Sequence, residues 1–169
     1  MGKMIFKRAM LGAAVAAVAL SAGTAHAANA TGEAKARILR QLTLTNTSDL
    51  QFATIISGAT ASTVAVTTLG ASVCGPTLVC TGTTTAANFD IQGSNNAVVL
   101  VGGDAAVTLT GSLGGTMNAT LNYSAASLTL TNGPGTVGGS FRVGGVLSVG
   151  ANQTSGDYTG TFNVTANYQ

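Results

Sequence analysis

Charge is nearly missing from this sequence. Seven Lys and Arg and five Asp and Glu are spread over 169 residues, with one His, two Cys and no Trp. Enzymes depend on groups that titrate or attack near neutral pH, and few are present. Ser and Thr hydroxyls are plentiful, but nothing beside them would serve as a base. The carboxylates that come nearest to acid–base candidates, Asp90 and Asp104, both sit beside turns, where Asp is ordinary turn chemistry. A non-catalytic protein is expected. No run of Lys or Arg exists to hold nucleic acid. The few aromatics, three Tyr and five Phe, fall mostly at alternating apolar positions and leave no stacking platform for sugars or bases. Gly102-Gly103 and Gly133-Pro134-Gly135 lack the following Lys or helix start of a phosphate loop. Two thiols without a partner His make a poor metal site, so neither metal nor cofactor is expected.

The start of the chain reads as a leader rather than as fold. Lys3, Lys7 and Arg8 precede the apolar run from Ala9 to Leu20, and Ala25-His26-Ala27 is a small-x-small cleavage site. That is the pattern of a signal peptide over residues 1–27. The apolar run is shorter than the roughly 20 residues a membrane span needs. Removing the leader takes away the only His and three of the basic residues. Lys35, Arg37, Arg40 and Arg142 then face Glu33, Asp49, Asp90, Asp104 and Asp157, a net charge of −1. The expectation is an exported protein, in the periplasm, at the cell surface or outside the cell, with no membrane span after cleavage.

What the rest of the chain does have is Thr, Val, Ala, Gly, Asn and Ser, arranged with a period of two. Thr and Val at alternating positions, punctuated by Gly and Asn, describe strands with tight turns. From Tyr158 to Tyr168 every even position is apolar, aromatic or Gly and every odd one is Thr or Asn, as in a strand with one buried face. Upstream, Leu42–Thr45, Leu50–Ile56, Thr63–Leu69, Ala87–Ile91, Ala119–Tyr123 and Ser127–Thr131 read the same way, with a turn at Asn46–Asp49. Ala97–Val101 is continuously apolar, as an interior strand would be, and Gly102-Gly103-Asp104 reads as the turn of a hairpin to Ala106–Thr110. Ser140–Val143 runs through Gly144-Gly145 into Val146–Val149, and the glycine pair implies a bulge or a close approach of backbone. The total is roughly nine or ten short strands and no helix, which argues for an all-β, Greek-key β-sandwich.

Two further features are functional candidates. Cys74 and Cys80, in Cys74-Gly75-Pro76-Thr77-Leu78-Val79-Cys80, read as a disulfide in an exported chain. Residues 28–37 form an arm ahead of the domain at 38–169, and Ala28, Ala30, Gly32, Ala34 and Ala36 on it, continued by Ile38, alternate with polar residues. The arm is read either as a flexible leader or as a strand available for insertion elsewhere.

Gly139–Val149 followed by Gly156–Thr165, together with Arg37–Leu44 and Asp49–Phe52, resembles the sequence pattern of a bacterial exported family catalogued as domain of unknown function 4402. Ala53 stands where that pattern leads one to expect Gly after the Phe. More loosely, an exported all-β chain with an alternating arm and a final strand ending in Tyr is similar to chaperone–usher-type fimbrial subunits. That likeness implies an immunoglobulin-like Greek-key β-sandwich lacking one strand, its groove filled by the arm of the next subunit. The assembly residues would be Ala28, Ala30, Gly32, Ala34, Ala36 and Ile38 on the arm, and Tyr158, Phe162, Val164 and Tyr168 bordering the groove. Partners would be further copies of the chain or a periplasmic chaperone. The expected function is a structural or adhesive surface protein. The alternative is a monomeric secreted or periplasmic ligand-binding module with a ligand the sequence does not identify. An arm this rich in Ala would bury little apolar surface, at about 0.8 kcal/mol per methylene, which keeps the monomer in contention.

Overall fold

The computed structural model describes residues 27–131, 133 and 135–169. The signal peptide therefore lies outside the described residues except for Ala27, as do two positions of the turn at residues 132–135. The chain divides into two units, Met1–Ala36 and Arg37–Gln169. In the first, residues 27–36 are exposed and form no strand. The second is all β, with no helix among the described residues.

Its strands are β1 (Thr43–Ser48), β2 (Thr54–Ile56), β3 (Ser62–Val66), β4 (Ser72–Cys74), β5 (Val79–Thr81), β6 (Ala87–Gln92), β7 (Val98–Gly103), β8 (Ala106–Gly111), β9 (Thr116–Tyr123), β10 (Ser127–Thr129), β11 (Gly139–Val149), β12 (Tyr158–Thr159) and β13 (Val164–Tyr168). An eight-stranded sheet runs β1-β6-β11-β9-β8-β12, with β3 also on β11 and β4 on β3. A three-stranded sheet runs β10-β7-β13, and β2 pairs with β5. All pairings are antiparallel. The result is a β-sandwich with one continuous core. Alternation builds it: Phe89 and Ile91 of β6, Phe141, Val143, Leu147 and Val149 of β11, and Met117, Ala119 and Leu121 of β9 are buried, with Val99 and Leu130 from the other layer.

β11 is the axis of the large sheet. Gly139–Val143 pairs with β6, Gly145–Val149 pairs with β3, and β9 runs along the other edge. The change of partner falls at Gly144-Gly145, and both glycines are required by close approach. A Cβ on Gly144 would press into the carbonyl oxygen of Val66, and one on Gly145 would lie 2.8 Å from the carbonyl of Thr120, under Leu50 and Phe52.

Three expectations change. Gly102-Gly103-Asp104 is not a hairpin turn. β7 pairs with β10 and β13, whereas β8 pairs with β9 and β12, so the chain crosses there from one sheet to the other. The alternating run from Tyr158 to Tyr168 is likewise two strands, β12 in the large sheet and β13 in the small one, divided at Gly160, where the backbone passes close over Thr108. The two crossings meet: Asp104 N–H donates to the Asn163 carbonyl, and Asn163 N–H donates back to the Asp104 carboxylate at 2.7 Å. Finally, the turn at Asn46–Asp49 is a bulge within β1, in which Asn46 accepts from Ser48 N–H and donates to Asp49. The same Asn side-chain bonds suit a turn or a bulge, so the sequence alone does not separate them. Ala97–Val101 does supply the centre of its sheet, but Val98 and Leu100 face outward.

Candidate functional site

The final strand carries the most distinctive edge. β13 pairs with β7 in the register Val164↔Gly103 to Tyr168↔Val99. Asp104 N–H donates to the carbonyl of Asn163, and Gln169 N–H to that of Val98. In an antiparallel ladder such bonded pairs alternate with non-bonded ones. The odd residues of β13 therefore turn their backbone groups toward β7. Val164, Ala166 and Tyr168 turn theirs the other way, where β13 meets no strand among the described residues. Their side chains, with Phe162, face the core but are only half-buried.

This edge is held at both ends. The Tyr168 hydroxyl accepts from Ser94 N–H at 2.8 Å and donates to the Arg40 carbonyl at 2.7 Å, while Arg40 N–H donates to Ser94 Oγ at 2.7 Å. At the other end the Phe162 ring meets Phe89 edge-on, with centroids 6.2 Å apart. Phe89 lies opposite Asn46 of β1. The end of β13 thus meets the segment just before β1, and Phe162, ahead of β13, meets β6, the neighbour of β1. Leu42 and Leu44, half-buried like Val164 and Ala166, pack against the same core.

The other sequence candidates are placed separately. Ala28, Ala30, Gly32, Ala34 and Ala36 belong to the first unit, exposed and without strand structure. Ile38, in the second unit, is 94% exposed. Cys74 and Cys80 form a disulfide with Cα atoms 6.0 Å apart, joining β4 of the large sheet to β5 of the two-stranded ribbon. Asp90 stands on the outer face of β6 beside Asn88, and Asp104 pins the corner between the sheets. The Tyr123 hydroxyl donates to the Asp104 carbonyl at 2.8 Å. Burial, and then the Asp104 carboxylate, raise the Tyr123 phenol above its ordinary value, which keeps it a protonated donor. No cluster of three or more His, Cys, Asp or Glu capable of holding a metal occurs among the described residues.

Tyr158 does not lie with Phe162, Val164 and Tyr168. It lines a cleft of about 920 Å³ at another part of the sandwich, between Leu50–Ser57 and Gln153–Tyr158. Sequence reasoning missed this cleft because its floor is drawn from β8, β9 and β11, through Leu109, Met117, Leu147 and Val149. The signal that was available is Ala53, which stands where the family resemblance suggests Gly; it lies in the wall at φ +64°, a conformation that favours glycine.

The family model described as Domain of unknown function (DUF4402) matches residues 42–168, from the residue before β1 to the end of β13. The chain belongs to this family. No curated protein and no solved structure matches it. DUF4402 carries no assigned activity, so the function is argued from the two surfaces above. Among the described residues no helix is long and apolar enough to cross a membrane.

Proposed function

We propose that this DUF4402 protein is an exported, non-catalytic structural or adhesive protein of the cell surface, a fimbrial-type subunit that assembles by strand addition. In this reading, residues 28–38 of one copy lie along β13 of the next. The observation that carries it is the open edge of β13: three residues with outward N–H and C=O groups above a half-covered apolar row. An open edge with apolar side chains behind it is a template for another strand, and an added strand supplies backbone hydrogen bonds and side chains together. The exposed Ile38 is the one bulky apolar residue of segment 28–38, and in this reading the next copy covers it. The disulfide supports export, since such bonds persist in oxidising compartments.

Because alanines add little burial, most of the affinity comes from the backbone ladder and Ile38. Deleting residues 28–38 from the exported protein is therefore expected to abolish assembly, measured by light scattering and electron microscopy, without unfolding the sandwich. Equal assembly with and without the arm, or none with the intact chain, overturns the reading. The cleft favours a second reading, a ligand-binding module.

A further inference from the structure

We propose that the cleft bounded by Leu50–Ser57 and Gln153–Tyr158 binds a small ligand with an aliphatic body and an uncharged polar head. This holds whether the chain stands alone or as a subunit. The volume of about 920 Å³ falls within the range of roughly 300–1,000 Å³ typical of ligand pockets. The site is preformed. Its walls are joined at one end, where Asn152 N–H donates to the Gly58 carbonyl and Ser57 Oγ donates to that of Gln153. Gln153 is fixed in turn: its Oε1 accepts from Gly150 N–H, and its Nε2 donates to the Tyr158 hydroxyl at 2.8 Å and to the Thr116 carbonyl. The Tyr158 hydroxyl itself donates to the Thr154 carbonyl at 2.7 Å.

The lining selects the ligand class. Met117, Leu147 and Val149 beneath the cleft are buried, and the aliphatic surface it offers comes from half-buried Leu50, Ile55 and Leu109 and the exposed Ile56, which ask for an aliphatic body. The rim offers the amide of Gln51 and the hydroxyls of Thr154 and Ser155, suited to a neutral head. Its single charge is the exposed carboxylate of Asp157, and no Lys or Arg lines the cleft. An anionic head there would meet repulsion without a counter-charge, and a cationic head would gain only a solvent-screened contact with one exposed carboxylate. Neither aromatic offers a free sugar platform: Phe52 is buried over Gly145, and the Tyr158 ring packs against Gly111.

Two probes that share a twelve-carbon chain test this on the full chain by titration calorimetry, below their micelle concentrations. Lauroyl glycerol, with a neutral head, is expected to bind, and laurate to bind at least about five-fold more weakly. Asp157→Asn should narrow that gap. Ser155→Trp should block the mouth and abolish binding while the melting temperature holds. If Ser155→Trp fails to fold, Thr83→Trp repeats the block from the opposite side, where Thr83 also lines the cleft next to Gly82 and the Ala53 wall. The proposal is overturned if neither probe binds, if laurate binds as tightly as lauroyl glycerol, if Asp157→Asn leaves the gap unchanged, or if a folded blocking variant binds normally.

Discussion

β11 and β13 are written in the same code and end up in opposite situations. Both alternate with a period of two. Along β11, Phe141, Val143, Leu147 and Val149 are buried, and neighbouring strands line both edges. Along β13, Val164, Ala166 and Tyr168 face the same core half-buried, and the strand is paired along β7 alone among the described residues. Alternation therefore reports that a face is buried. It says nothing of how deeply, or of how many edges are satisfied. Those depend on strands distant in sequence, and they separate the part of the sandwich paired on both edges from the part whose outer edge meets no strand among the described residues.

The largest effect should come from the closed side. Phe141 is 2% exposed and stacks on Phe89 with ring centroids 5.4 Å apart. Phe141→Ala removes that ring from the centre of β11, and the expected loss is about 3–5 kcal/mol in urea denaturation. A loss below that of a half-buried edge position would mean that β11 is not the axis of the core.

On the open side, Tyr168→Phe keeps the ring and removes only the hydroxyl. Two backbone groups, Ser94 N–H and the Arg40 carbonyl, lose their partner. The site is partly exposed, so water replaces some of this, and the expected cost is about 1–2 kcal/mol. Hydrogen exchange at Ser94 should rise in the variant. If neither stability nor exchange changes, the end of β13 is not anchored by its terminal tyrosine.

Much of this was legible in the residues themselves. The all-β character, the Cys74–Cys80 disulfide and the close approach at Gly144-Gly145 all follow from composition and local pattern. The sheet crossings at Gly103 and Gly160 do not. The alternation of apolar and polar residues continues through both corners, so nothing local marks a change of sheet, and Gly102-Gly103-Asp104 has the composition of a hairpin turn. What decides it is Asn163, 59 residues away from Asp104, which exchanges hydrogen bonds with it. The cleft was hidden for the same reason, since its floor joins Leu109, Met117 and Leu147 only after the large sheet has formed. One local sign was readable. Ala53 departs from the Gly suggested by the family resemblance, and it occupies a left-handed conformation.

That residue gives an intermediate case between β11 and β13, because β2 is paired on one edge yet follows the buried Phe52. Gly adopts φ near +64° without the Cβ strain that Ala bears there. Part of that gain is offset by the greater freedom of Gly in the unfolded chain. Ala53→Gly is therefore expected to stabilise the domain by up to about 1 kcal/mol, read as a higher melting temperature. A lower melting temperature would show that the Ala53 methyl contributes packing at the cleft wall that outweighs its strain.

The smallest effect on stability separates folding from assembly. In β11, Val146 lies between Ala65 of β3 and Thr120 of β9, where a proline would remove a ladder donor from the middle of the sheet. Ala166 of β13 differs, because its N–H points away from β7, as the bonds of Asn163 and Gln169 on either side require. Proline is tolerated on an edge strand when the missing donor faces outward. Ala166→Pro should thus cost less than about 1 kcal/mol, within the range of ordinary surface changes. Yet it removes the central donor of the edge that an incoming strand would use. Concentration-dependent light scattering should fall to the monomer level while the melting curve scarcely moves. If Ala166→Pro instead unfolds the domain as Val146→Pro does, the outward orientation of that N–H is wrong. If it leaves both folding and assembly intact, copies of this chain associate through a surface other than β13.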